Sequence, residues 1–176
     1  MSFDAIIVGA RVAGASTAML LARKGLRVLV VDRAKFPSDT LSSHQLQPPG
    51  AVRLRRWGLL DALESAGTPP AREVRFRAGD AVLRGAYPGA EALYSPRRTL
   101  LDALLVDAAR AAGAEVRENT IVDDVLTADG RVTGIRCHAK GSPAAARRSL
   151  SSRLISRMSG LNSQVPCAPD FSLSPV

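Results

Sequence analysis

The chain opens on an uninterrupted aliphatic run, Ala5 to Val8, with no polar residue on either side of the pleat. Such a run over residues 4–8 predicts a strand buried on both faces, as in a parallel sheet. A turn at Gly9 follows, then apolar positions at helical spacing from about Ala13 to Lys24, stopped by Gly25. A second aliphatic run, Val28 to Val31, ends on Asp32. From Arg33 to Gly50 the chain is rich in Pro, Ser and Asp and predicts a long loop, with helix from about Ala51 to Trp57 and a further turn from Leu59 to Ser65. Alternation then replaces helical spacing. Glu73–Arg77 and Ala81–Arg84, around Ala78-Gly79-Asp80, predict a hairpin. The clearest helix runs from Arg98 to Ala112, with Leu101, Leu104, Leu105, Ala108 and Ala112 recurring on it and Gly113 behind it. A strand over 114–118 and a hairpin of Thr120–Leu126 and Val132–His138 about Asp129-Gly130 complete the patterned part. Beyond Lys140 the chain turns to Ser, Pro and Arg, and the expectation is disorder or a segment lacking its partners. Met158, Asn162 and Cys167 carry no reading from spacing.

Strand, glycine turn, helix, strand and acid, in that order, make the βαβ unit that grips a dinucleotide. The fingerprint asks for Gly-x-Gly-x-x-Gly, and the chain has Gly9-Ala10-Arg11-Val12-Ala13-Gly14. The first glycine allows the sharp turn and the last lets helix and strand lie close. The middle one normally lets the backbone approach a pyrophosphate at the helix N-terminus. Arg11 sets a long cation there, which either adds charge for the phosphates or obstructs them. Asp32 suits both hydroxyls of a ribose and opposes a 2′-phosphate, although Arg33 follows it directly. On the fingerprint alone, FAD and NAD both remain open, beside a ligand-free strand-turn-helix. His44 is the one group of the long loop that titrates near neutral pH, and a lone loop histidine reads first as solvated.

Charge adds little to this picture. The formal net charge of +8 comes from 24 basic residues, nearly all arginine and spread along the chain. With four Phe, two Tyr and one Trp there is no platform for stacking bases, so nucleic acid is not an expected partner. Cys137 and Cys167 have neither CxxC spacing nor histidines at metal-site intervals, and no metal is expected. No apolar stretch reaches spanning length and no signal peptide is evident, so a cytoplasmic protein is expected.

Three stretches together resemble a family. Ile6 to Asp32, Pro48 to Leu60 (Pro-Pro-Gly-x-x-x-Leu-x-x-Trp-Gly-Leu-Leu) and Arg98-x-x-Leu-Asp-x-x-Leu are similar to FAD-dependent oxidoreductases. The likeness is to the p-hydroxybenzoate-hydroxylase-like monooxygenases and the geranylgeranyl-reductase-like flavoproteins, over roughly residues 3–140. It implies that Gly9, Arg11, Val12, Ala13 and Gly14 face the FAD pyrophosphate, with Asp32, and Arg33 beside it, at the adenosine ribose. Arg98 matches the arginine that opens the helix of the third stretch and reaches back towards the FAD. Val122 matches the position whose backbone meets the adenine, and the loop from Asp39 to Pro49, with His44, lies towards the flavin ring. Where the family carries a strand leading into Gly-Ala-Asp-Gly, Arg153 to Val165 resembles it at both ends, but Ser156-Arg157-Met158-Ser159 stand where Ile-Gly-Ala-Asp is expected.

The expectation is therefore an α/β fold: a Rossmann-like FAD-binding βαβ domain, incomplete, with a small antiparallel excursion. Residues 1–140 form the partial FAD-binding domain, 70–95 the hairpin excursion, and 141–176 a poorly ordered, divergent tail. The resemblance implies the FAD-binding portion of a flavin-dependent oxidoreductase or monooxygenase, with NAD(P)H as co-substrate and a small-molecule substrate. This chain by itself, truncated or frame-disrupted, is expected to be inactive, and no side chain stands out as a catalytic acid or base. The alternative is a non-catalytic nucleotide-binding remnant with weak or no FAD binding. A dehydrogenase using NAD(P) is disfavoured by the absence of a Tyr-x-x-x-Lys pair.

Overall fold

The first aliphatic run forms strand β1 (Ser2–Val8) and the second forms β2 (Val28–Val31), paired in parallel with Ile6 opposite Leu29 and Val8 opposite Val31. Helix α1 (Val12–Ala22) links them. The computed structural model describes residues 2–89, 92–143 and 146–157. Both faces of β2 are buried, which explains its lack of polar alternation. Val28 and Val30 point into the core beneath the helices, while Leu29 and Val31 join Phe3, Ile6, Ile135 and Cys137 on the other face.

Helix α2 (Pro48–Trp57) begins three residues earlier than the pattern predicts. Prolines at its start lack only N–H groups that no helix uses in its first turn, so Pro48 and Pro49 open the helix and the long loop ends at Gln47. A short helix α3 (Leu60–Ser65) follows. Strands β3 (Glu73–Ala78) and β4 (Ala81–Ala86) form the expected hairpin as a separate two-stranded sheet, with Phe76 opposite Leu83. Both of these side chains are largely exposed, at 67% and 71%.

Helix α4 (Arg98–Ala111) packs along α1. Its buried face is Leu101, Asp102, Leu105, Val106 and Ala109, rotated from the predicted stripe. Leu104, Ala108 and Ala112 lie at the margin of the core, half-buried. Alanine and leucine occupy both flanks of this helix, so apolar spacing alone did not choose between them.

Strands β5 (Glu115–Arg117), β6 (Thr120–Ala128), β7 (Arg131–Ala139) and β8 (Arg148–Arg157) complete the main sheet. Among the described residues its order is β5-β2-β1-β8-β7-β6. The first four strands are parallel, and β7 and β6 continue the sheet antiparallel. Strand β8 corrects the expectation that order fails past Lys140. It lies in the middle of the sheet, with Ile6 opposite Ile155 and Ile135 opposite Leu150. Its serines did not register as strand-forming, yet a pairing with β1 and β7 satisfies its backbone on both sides. The expected tail beyond Arg157, with Met158, Asn162 and Cys167, lies outside the described residues.

Candidate cofactor site

The site is built where β1 and β2 end and α1 begins. Gly9 has a φ of 104°, a conformation that L side chains rarely adopt, and its N–H donates to Val31 O at 2.8 Å. The turn is thereby tied to the end of β2. A Cβ built on Gly14 would stand 1.7 Å from Gly9 O, so only glycine lets α1 lie this close to the turn. Arg11, at the place of the fingerprint's middle glycine, has ordinary extended backbone (φ −78°, ψ −168°) and caps α1 without a capping side-chain bond.

The first backbone bond of α1 runs from Ala15 N–H to Arg11 O at 2.9 Å. The N–H groups of Val12, Ala13 and Gly14 therefore stand ahead of the helix's own ladder. No acidic residue occupies this first turn, leaving the positive end of the helix dipole uncompensated there. Asp32 closes the other side. Its Oδ2 accepts from Ala10 N–H at 2.7 Å and its Oδ1 from Ala34 N–H at 2.8 Å, which orients the carboxylate across the mouth of the turn. A carboxylate has about four acceptor positions, so two backbone donors leave room for a pair of hydroxyls. Arg33 is exposed beside it. Thr120 N–H donates to Asp32 O at 2.8 Å, so β6 starts at the end of β2. Val122 stands two residues further along β6, opposite Cys137, and packs on the sheet face away from α1.

Arg98 comes to the same place from the N-terminus of α4. It forms a fork on Asp102 one helical turn on, with Nε to Oδ1 at 2.9 Å and Nη2 to Oδ2 at 3.0 Å. Asp102 is fully buried, at 0% exposure, and also accepts from Arg11 Nη1 at 2.6 Å. This shared carboxylate was missed from sequence. The available signal was an Asp four residues after Arg98 and flanked by Leu101, Leu105 and Val106, although an i,i+4 pair reads by default as a surface bridge.

A recess of about 210 Å³ opens beside these groups, lined by Val12, Ser42, His44, Gln45, Leu46, Pro96, Arg98 and Leu101. His44 is not simply a solvated loop residue: it sits at φ 54°, and its Nδ1 is buried without a hydrogen-bond partner among the described residues. A second cavity, of about 270 Å³, is lined by Arg117, Cys137, His138 and Arg148 and shares no lining residue with this recess. The structure thus brings together Gly9, Arg11, Val12, Ala13, Gly14, Asp32 and Arg98, with Arg33 just past the end of β2 and Val122 near the start of β6.

An FAD fits these groups on their chemistry. The uncapped first turn of α1 supplies N–H donors for a diphosphate, the Gly9–Gly14 contact leaves no side chain between turn and helix, and Asp32 offers acceptors for a ribose. The fold and site define a dinucleotide-binding α/β domain of the flavoprotein kind. The chain belongs to the FAD binding domain family, which it matches over residues 2–165, and FAD is the cofactor of that family.

Known proteins agree with this assignment. A probable electron transfer flavoprotein-quinone oxidoreductase of Escherichia coli (strain K12), YgcN, is 34% identical over 136 residues, 76% of this chain and 32% of that protein. The myxobacterial chondrochloren halogenase CndH, a variant of the FAD-dependent halogenases, superposes with a TM-score of 0.81 at 26% identity, covering 93% of this chain and 38% of that one. The p-nitrophenol 4-monooxygenase PnpA of Pseudomonas putida DLL-E4 has a TM-score of 0.77 at 20% identity, over 90% of this chain and 41% of its own, a likeness of fold. The chain spans about a third of the length of the curated relatives it matches. Among the described residues no helix is long and apolar enough to cross a membrane.

Proposed function

We propose that this chain is the cofactor-holding portion of a flavin-dependent oxidoreductase that acts on a small molecule, as a monooxygenase or a reductase, with NAD(P)H as reductant. The observation that carries the reading is the opening βαβ unit: an uncapped α1 N-terminus packed on Gly9 through Gly14, with Asp32 oriented at the end of β2. Bound FAD would supply the electron transfer, and the protein's part is binding, orientation and exclusion of water. The N–H groups of Val12, Ala13 and Gly14 bind the diphosphate, and Asp32 accepts from the adenosine ribose with Arg33 at its rim. Arg98 adds positive charge from the start of α4, and the backbone at Val122 meets the adenine. His44 lies in the recess beyond the diphosphate, where its buried Nδ1 meets the flavin end or its substrate.

The test is a titration of the purified 176-residue chain with FAD, followed by flavin fluorescence and by visible absorbance. A saturable, stoichiometric yellow complex is expected. Asp32→Ala should weaken it by about 1 to 3 kcal/mol, the net worth of two hydrogen bonds at about 0.5 to 1.5 kcal/mol each. Unchanged affinity in that variant would refute the ribose role, and a chain that takes up no FAD would refute the reading itself.

A further inference from the structure

Arg11 occupies the place where the fingerprint has a glycine, yet four of the five N–H donors of its guanidinium are engaged within the protein. Nη1 donates to Asp102 Oδ2 at 2.6 Å and to Ser38 O at 3.3 Å. Nη2 donates to Ser38 Oγ and to Asp39 O, both at 3.3 Å. The guanidinium also lies over the Phe36 ring, 5.6 Å from its centroid. Four hydrogen bonds and a ring face hold one side chain that is 29% exposed. Three separate pieces of chain meet on it: the α1 N-terminus, the start of the long loop and α4.

We propose that Arg11 is a strut, not a phosphate ligand: anchored on Asp102, it fastens the loop beginning at Phe36 against the junction of α1 and α4. Asp102 is the positioning residue at its foot. Charge explains why the pair belongs together. Two guanidiniums this close repel, and a buried carboxylate without partners is strongly unfavourable. Asp102 between Arg11 and Arg98 removes both problems and leaves a net single positive charge beside the diphosphate site. The geometry also accounts for how the departure from glycine is tolerated. Asp102 and the Phe36–Asp39 segment draw the side chain onto the protein, and the N–H groups of Val12, Ala13 and Gly14 remain at the helix end. Other ties on this loop are weaker or more distant. Asp39 pairs with Arg97 at the surface, with side chains 45% and 70% exposed, and Leu46 exchanges backbone bonds with Tyr94 at the loop's far end.

The consequence for FAD rests on the function proposed above; the strut itself does not. Restoring the consensus glycine should harm this protein. In Arg11→Gly, limited proteolysis of the unliganded chain should cut within residues 38–45 several-fold faster than in the parent, and FAD should bind roughly tenfold more weakly, the scale of coupled contacts in one network. Asp102→Asn should loosen the same segment, and the double variant should be no worse than the weaker single one. Arg97→Ala, which removes only the surface pair, should leave both readouts near those of the parent.

Tighter FAD binding in Arg11→Gly, or loop cleavage no faster than the parent's, would overturn the strut. Strictly additive effects of the two substitutions would overturn the coupling through Asp102. Should Asp102→Asn fail to fold, Arg11→Gly still decides the matter, because it leaves the fork between Arg98 and Asp102 intact. Should the parent chain bind no FAD, the function proposed above falls, while the proteolysis of the unliganded chain continues to decide the strut.

Discussion

Gly14 is where a single hydrogen in place of a methyl group decides whether the site exists. An added Cβ would meet Gly9 O at 1.7 Å, and the obstacle is backbone, which cannot swing aside. Gly14→Ala must push α1 away from the turn, at a cost of about 1 to 3 kcal/mol or more. The variant is expected to unfold at lower denaturant concentration and to lose FAD binding in the same titration; full retention of both would show that the turn is more pliant than drawn. Gly9, Gly14 and Asp32 were legible in the sequence because their spacing is set by backbone chemistry that every βαβ site shares. The role of Asp102 was not. Its partner at position 98 is local, but its partner at position 11 lies 91 residues away and is joined to it only by the packing of α1 on α4.

Elements before Lys140 were legible to within a few residues at their ends, since apolar runs and glycine stops state strand and helix directly. Faces were less so: α4 buries Asp102, Val106 and Ala109 where spacing had favoured Leu104, Ala108 and Ala112. The connection between the β3–β4 hairpin and α4 also gained a role that its composition did not suggest. Tyr94 there is buried, its hydroxyl donates to Glu64 Oε1 of α3 at 2.5 Å, and its backbone pairs with Leu46. Burial, and then the bond to Glu64, raise the phenol above its ordinary 10.0. The folded chain therefore holds this proton more tightly than the unfolded chain does. The associated stability is complete below about pH 10 and is lost as pH rises through the raised value. Tyr94→Phe should lower stability near neutrality by about 1 to 2 kcal/mol and should flatten the alkaline fall in urea midpoints. Parallel pH profiles for parent and variant would exclude Tyr94 as the titrating group.

For the whole molecule, the class of fold followed from the first two strands and the helix between them, but the order of strands did not. A period of two or of 3.6 says which element a segment forms and leaves open which neighbour it meets. The serine-rich segment past Lys140 looked unsuited to a core, yet β8 is the only strand joining the parallel half of the sheet, through β1, to the antiparallel half, through β7, among the described residues. A chain ended after Lys140 should expose the β1 edge and self-associate, as unpaired strand edges do. Size-exclusion chromatography with light scattering reads this directly. A monomeric shortened chain with cooperative unfolding would place the stability elsewhere.

The position of β8 also sets a clock on synthesis. Ser2 pairs with Ser151, so β1 leaves the ribosome about 150 residues before the segment that covers its second edge. At about 5 to 20 residues per second, that lag is on the order of ten seconds. Throughout it a strand of Ile, Ile and Val stands half-paired at the ribosome. Synonymous codon changes that slow elongation between β2 and β8 would lengthen this interval without altering a single contact in the finished protein. Its yield in the cell should then fall when elongation over this stretch is slowed, even though the stability of the folded state is unchanged.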